Sequence, residues 1–214
     1  VANLQTKYGG ADNFPQRVRQ EQLRLDNEPL YQPLLSLNFA GRFRVSNVGL
    51  NAHFGVARLT DAGVSRMLLG NECKCTGLTS LNFTGLAYVG DLTMRAIAKA
   101  CGGTLTNLAL SGCGRISDAG IRALCGFFGM RRGVQGGCTV LSDLNLAGCQ
   151  SIGDGALEAL GSSAVSKTLA RLNLFKCRGI TDRGVRHFRT CVALRHVNLR
   201  TCVNVTDGGL VAWA

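Results

Sequence analysis

The chain has 214 residues, enough for one substantial domain or a short solenoid, and 46% of them are hydrophobic. No run of about 18 apolar residues occurs, which argues against a membrane-spanning helix, and Val1-Ala2-Asn3-Leu4-Gln5 lacks the basic start and apolar block of a secretory signal. With 24 Lys+Arg against 13 Asp+Glu the balance is basic, which points to an acidic partner surface or to nucleic acid; the excess lies towards the end, with nine Lys/Arg and two Asp from Lys167 onward.

Residues 1–33 hold four charges of each sign and no repeat. Pro15 to Leu25 reads as a short helix, and Pro29 and Pro33 interrupt the chain beyond it. This stretch is read as an N-terminal cap or a partner-binding extension. The lack of a starting Met predicts a fragment or a processed form.

From residue 34 onward one template recurs: L-x-x-L-x-L-x-x-C-x-x-I-[ST]-D-x-G-L-x-x-L. Copies begin at Leu34, Leu78, Leu105, Leu141, Leu169 and Leu194. A periodic chain is read as stacked units. Positions 4 and 6 are apolar around position 5, as in Leu108/Leu110 and Leu172/Leu174, which is an alternating strand pattern. Position 12 is always aliphatic: Val45, Val89, Ile116, Ile152, Ile180, Val205. Positions 13 and 14 then read Ser46-Asn47, Gly90-Asp91, Ser117-Asp118, Gly153-Asp154, Thr181-Asp182 and Thr206-Asp207. A Ser/Thr-Asp pair before an apolar-periodic run starts a helix, its hydroxyl or carboxylate accepting from first-turn amides. The i, i+3 pairs Ile121/Leu124, Leu157/Leu160, Val185/Phe188 and Leu210/Trp213 are expected to face inward.

Each unit is thus strand, tight turn, helix, and none can bury its apolar side alone. Stacking predicts an α/β solenoid over 34–214, about six to seven repeats, with a curved parallel sheet on the concave face and helices on the convex face. Successive position-5 residues (Asn38, Asn82, Ala109, Asn145, Asn173, Asn198) are separated by 44, 27, 36, 28 and 25 residues. The first gap, 39–81, contains a second helix start, Leu59-Thr60-Asp61-Ala62-Gly63-Val64. It holds either a degenerate extra repeat with a poor strand near Val48 to His53, or an insertion. The 36-residue gap holds a glycine-rich stretch, Gly126 to Gly137, expected to project as a loop. The chain stops at Ala214 inside the last helix with no polar capping unit, which predicts a truncated repeat domain.

Cys113, Cys149, Cys177 and Cys202 each occupy position 9. Stacked layers place them in one column, where cysteine acts as a small buried hydrophobe with a weak donor thiol. Four of the ten cysteines are used in this way, which points to a reducing compartment inside the cell rather than to a disulfide scaffold. Leu169-Ala170-Arg171-Leu172-Asn173-Leu174 to Cys177, followed by Ile180-Thr181-Asp182-Arg183-Gly184-Val185, resembles the leucine-rich repeat in its cysteine-containing subtype. That subtype is similar to the substrate-binding part of F-box and leucine-rich-repeat proteins. The resemblance covers residues 34–214, most closely from 105 onward.

Side chains at positions 3, 5 and 7 are expected to point away from the core. They are small in early copies (Ser36, Ala40, Ser80, Thr84) and become Arg171, Phe175, His196 and Arg200 in the last two, with Lys176 and Arg195 beside them. These six are the candidate partner-binding residues of the concave face, suited to acidic or phosphorylated peptide. The alternative is a solvated basic face. The position-5 asparagines are read first as a structural ladder. Phe127, Phe128, Met130, Arg131 and Arg132 form a candidate docking loop, with a tolerated insertion as the equal alternative. Cys73 and Cys75 form a C-x-C without two further ligands at finger-like spacing, so no metal and no cofactor is expected. His53, His187 and His196 fall in no catalytic pattern, and no phosphate-cradling glycine loop occurs, so an enzyme is not expected.

The expected function is a non-enzymatic protein–protein interaction module, a scaffold or recognition subunit of a larger assembly. The resemblance implies two roles: architectural subunit of a ciliary or mitochondrial assembly, or substrate recognition in an F-box-type ubiquitin ligase. Residues 1–33 are too short and polar to supply an F-box. An RNA-contacting subunit of a ribonucleoprotein is the third reading, supported by a net charge of +11 and opposed by an aromatic content of only 6%. Cytoplasm (including the cilium), nucleus and mitochondrion are the compartments that fit.

Overall fold

The computed structural model of the protein describes residues 36–38, 59–70, 77–127 and 137–213. Six strands of three residues each form one sheet: β1 (Ser36–Asn38), β2 (Ser80–Asn82), β3 (Asn107–Ala109), β4 (Asp143–Asn145), β5 (Arg171–Asn173) and β6 (His196–Asn198). They stand in chain order and all neighbours are parallel. The register pairs like template positions, so Leu81 faces Leu108 and Leu144 faces Leu172. Position 4 points into the core and positions 3 and 5 point out, as the period of two requires. Position 6 turns inward as well: Phe83, Leu110, Leu146 and Leu174 are fully buried.

From β2 onward each strand leads through a tight turn to a helix. Among the described residues the α-helices are α1 (Asp61–Leu69), α2 (Asp91–Cys101), α3 (Asp118–Leu124), α4 (Asp154–Ser162), α5 (Asp182–Val185) and α6 (Asp207–Trp213), and α5 continues as a 3₁₀ turn, Arg186–Thr190. Successive helices pack on one another. Ile121/Leu124, Leu157/Leu160 and Val185/Phe188 are buried between helix layer and sheet. The fourth pair departs from expectation: Leu210 is 42% exposed, because its helix has a packed neighbour on one side only among the described residues. Trp213 still meets Phe188 edge to face, with ring centroids 5.4 Å apart.

The first long gap places no strand between β1 and β2, which pair directly. The helix in that gap, α1, starts at the Thr60-Asp61 signal and packs on α2. The sequence from Val48 to His53, the Ser46-Asn47 signal and Cys73 and Cys75 lie outside the described residues, as do residues 1–33.

Two ladders bind the layers together. In the first, the position-14 aspartate reaches forward by one repeat. Asp91 accepts from the Ser117 amide at 2.9 Å and hydroxyl at 2.6 Å; Asp154 does the same with Thr181 and Asp182 with Thr206. Asp118 accepts from the Gly153 amide, and Asp61 from the amides of Gly90, Leu92 and Thr93. The hydroxyl of the Ser/Thr-Asp pair caps its own helix, as Ser117 does for Ala119 and Thr181 for Arg183. The hydroxyl thus accepts from its own helix start while donating back to the preceding repeat, and the carboxylate accepts from the repeat that follows. It also accounts for glycine at position 16: a Cβ on Gly120, Gly184 or Gly209 would come within 2.3 Å of a preceding aspartate oxygen. Thr93 holds that position in its copy and instead donates its hydroxyl to Asp61 at 2.6 Å.

The second ladder is the thiol column. The Sγ atoms of Cys113, Cys149, Cys177 and Cys202 each donate to the position-6 carbonyl of the preceding layer, at 3.1–3.2 Å. Burial pushes the Cys113 thiol up to about 11 and those of Cys149 and Cys177 up to about 12. These thiols are packing groups rather than nucleophiles at neutral pH.

Candidate functional site

The outward positions 3 and 5 of neighbouring strands form the floor of an open groove. Its position-3 row reads Ser80, Asn107, Asp143, Arg171, His196, and its position-5 row Asn82, Ala109, Asn145, Asn173, Asn198. Backbone hydrogen bonding between parallel strands keeps the rows straight.

The asparagines serve their own turns rather than bridging strands. The Oδ1 atoms of Asn82, Asn145, Asn173 and Asn198 accept from the amides two residues on, those of Thr84, Ala147, Phe175 and Arg200, at 3.0–3.1 Å. An Asn side chain bonded two residues ahead imitates a backbone turn. This fixes where the chain leaves the sheet, and hence where the position-7 side chains sit.

The position-3 row contains a further residue that matters, outside the six candidates. Asp143 on β4 accepts from the Nε of Arg171, its register neighbour on β5. Ser142 donates to the other carboxylate oxygen at 2.6 Å. Burial works against ionisation of Asp143, but the hydrogen bonds from Arg171 and Ser142 and the Arg171 charge outweigh it and hold its carboxyl below the usual range. The Arg171 charge is therefore offset within the sheet. The signal was legible: template positions align across copies, so an acid and a base at position 3 of consecutive copies must face each other.

The other candidates gather at the same end. His196 is an exposed neighbour of Arg171 in the position-3 row, and Arg195 is exposed just before it. Phe175 and Arg200 occupy position 7 at the strand exits, Phe175 half-buried and Arg200 exposed. Lys176 places its Nζ over the Phe175 ring, 5.2 Å from the centroid.

In the candidate docking loop, Phe127 is half-buried, its amide donating to the Arg122 carbonyl at 2.9 Å. Phe128, Met130, Arg131 and Arg132 lie outside the described residues. Among the described residues, no group of three His, Cys, Asp or Glu could hold a metal ion, and no helix is long and apolar enough to cross a membrane.

The family described as "Leucine Rich repeat" matches residues 104–125, 137–161 and 165–188. Each stretch takes in one strand and the helix after it. Among solved structures, the chain is similar to one titled "Crystal structure of Rad7 and Elc1 complex in yeast", with 18% sequence identity and a TM-score of 0.42 over 72% of this chain and 50% of that chain. The chain thus matches half the length of that relative. Three consecutive matched units, each tied to the next by strand pairing, give residues 104–188 a leucine-rich-repeat fold, an α/β solenoid whose stacked units present an extended surface suited to protein interaction.

Proposed function

We propose that this chain is a non-enzymatic recognition or scaffold subunit that holds an acidic protein partner on the concave face of its last two repeats. One observation carries the reading. The outward positions 3 and 7 change from Ser80 and Thr84 to Arg171, Phe175, His196 and Arg200, while position 5 returns to asparagine and the core positions stay apolar. Packing does not require that change, because these side chains lie outside the core. Nearby acids do little to neutralise it: Asp154 and Asp182 serve the inter-repeat ladder, and Asp143 serves Arg171. Arg195, Arg200 and Lys176 remain as the cations turned towards a partner, with His196 beside them and Phe175 as the aromatic among them. Arginines and aromatics are the residues enriched where interfaces carry most of their energy.

Within this reading, an architectural subunit of a larger assembly stands first, and substrate recognition in an F-box-type ligase second. An RNA partner is less well supplied, because Phe175 is the one aromatic on the groove side of the last two described repeats and base stacking needs a series of platforms. The test is capture from cell extract with the full chain, identification of the protein that co-purifies, and reconstitution with it. Arg195→Ala with Arg200→Ala is expected to weaken the reconstituted complex at least about tenfold and to leave the circular-dichroism melt unchanged. Unchanged affinity refutes the placement. Capture of RNA alone, lost steeply with salt, favours the ribonucleoprotein reading instead.

A further inference from the structure

Position 8 of the repeat has one backbone conformation in every described copy, and it is left-handed. Gly85, Gly112 and Gly148 adopt φ of 82°, 77° and 74°, and Lys176 and Thr201 adopt 62°. Space is not the reason for glycine in the first three. A Cβ on Gly85 would meet nothing within 4 Å, and on Gly112 or Gly148 nothing nearer than 3.7 Å. The reason is the dihedral, which L side chains disfavour and β-branched threonine disfavours most. The turn holds its shape regardless, because the position-8 amide donates to the position-7 carbonyl of the next copy: Gly85 to Ser111, Gly112 to Ala147, Gly148 to Phe175, Lys176 to Arg200.

The two copies that give up glycine are the two that carry Phe175 and Arg200 at position 7. Lys176 is exposed, and its strained backbone directs its ammonium over the Phe175 ring. The amide of this same residue bonds the Arg200 carbonyl at 3.1 Å, which brings the two cationic residues side by side on neighbouring strand exits. Strain kept at a solvent-facing position where glycine fits is the mark of a side chain retained for contact. Arg171, by contrast, is already neutralised by Asp143 on the floor of the groove.

We infer that the rim formed by Phe175, Lys176 and Arg200, rather than the strand floor, is the anion-binding contact of this chain, and that it takes an anionic side chain of a linear segment of the partner protein. This rests on the proposed acidic protein partner. The ligand chemistry is an oxyanion held between an ammonium braced on an aromatic face and a guanidinium. Carboxylate and phosphate share that chemistry. A phosphomonoester, with nearly two charges and three acceptor oxygens, can engage both cations at once.

The test uses the full chain and three fluorescein-labelled decapeptides of one Gly/Ser-rich sequence whose central two residues are glutamates, phosphoserines or glutamines. Fluorescence anisotropy reads affinity, and thermal melts read stability. Lys176→Gly relieves strain and removes a cation; Thr201→Gly relieves strain alone. Both are expected to raise the melting temperature, by about 2 °C. Lys176→Gly is expected to weaken anionic-peptide binding about tenfold, Arg200→Gln to weaken it similarly, and Thr201→Gly to leave it unchanged. Tighter binding of the phosphoserine peptide assigns the oxyanion as phosphate, and equal binding of both anionic peptides assigns it as either. Wild-type binding that is insensitive to Lys176→Gly and Arg200→Gln, yet lost in Arg195→Ala, overturns the rim and keeps the acidic-partner reading. Failure of the wild type to prefer either anionic peptide over the glutamine peptide overturns both.

Discussion

The carboxylate of Asp154 accepts from both the amide and the hydroxyl of Thr181, at 2.8 and 2.6 Å, one full repeat further along the chain. The contact joins two helix starts that strand pairing alone would leave uncoupled on the outer side. Coupling of this kind helps a stack of repeats behave as one body, adding a tie at the helix starts to the strand pairing and the thiol column. Asp154→Ala leaves the Thr181 amide and hydroxyl without this partner and is expected to cost about 1–3 kcal/mol, read as a lower midpoint in urea denaturation. A loss within error would show that solvent replaces the carboxylate fully.

Gly184 is the steric counterpart of that contact. A Cβ there would lie 2.3 Å from Asp154 Oδ1 and 3.0 Å from Leu157 Cδ1. Gly184→Ala is expected to destabilise by about 1–3 kcal/mol through overpacking. Combined with Asp154→Ala it should cost less than the sum of the two, because the first change removes part of what the second collides with. Strict additivity in that double-mutant cycle would mean the two residues do not share the space assigned to them.

Asp182 contributes to the response to acid. The side-chain and amide hydrogen bonds from Thr206 hold the Asp182 carboxyl below its ordinary value of 3.8, with Arg186 adding to the effect and desolvation opposing it. The folded value is depressed, so the stabilisation is present above the unfolded value and is lost as pH falls through the folded one. Stability is therefore expected to fall as pH drops below about 4. Asp182→Asn should flatten that dependence while lowering stability at pH 7. An identical acid limb in both proteins would mean that Asp182 does not contribute to the acid response.

The thiol column predicts chemical silence. With burial pushing Cys149 and Cys177 up to about 12, iodoacetamide at pH 7.5 should leave both unmodified in the native protein and label them in urea. Mass spectrometry of tryptic peptides reads this residue by residue. Rapid native labelling at Cys149 would mean that the layers open readily. Truncation of a neighbouring core leucine, Leu172→Ala, is expected to cost about 2–5 kcal/mol, since Leu172 is 2% exposed.

At the groove floor, Asp143→Ala should release the Arg171 guanidinium. Binding of the glutamate-bearing decapeptide is then expected to strengthen by a factor of about two to five, a modest gain because Arg171 is an exposed charge, and anisotropy titration measures it. Weaker binding would show Asp143 to be part of the contact rather than a restraint on it.

The spacing of Leu105, Leu108, Leu110 and Cys113 was sufficient to read strand, turn and layer, because a repeated core position has one environment in every copy. Even the sulfur bonds of the column are a consequence of that. The long first gap could not be read the same way: a helix start at Thr60-Asp61 fits an extra repeat and an insertion alike, and only the direct pairing of Ser36 with Ser80 shows that no strand lies between them. The roles within Thr181-Asp182 were also hidden, since a cap and an inter-repeat tie call for the same residue types. At the candidate site the basic drift was plain in the sequence, but the pairing of Asp143 with Arg171 and the left-handed backbone of Lys176 came from geometry. Both left traces, in an acid and a base at position 3 of adjacent copies and in the loss of glycine at position 8.

Partner placement is tested most directly by site-specific photo-crosslinking in the reconstituted complex. A photo-reactive amino acid would be placed singly at Asn198 on the groove floor and at Arg189 on the exposed helical side. Protein crosslinks are expected from position 198, lost when Arg195→Ala and Arg200→Ala are combined with it, and few from position 189. Crosslinks from position 189 alone would contradict a partner held on the concave face.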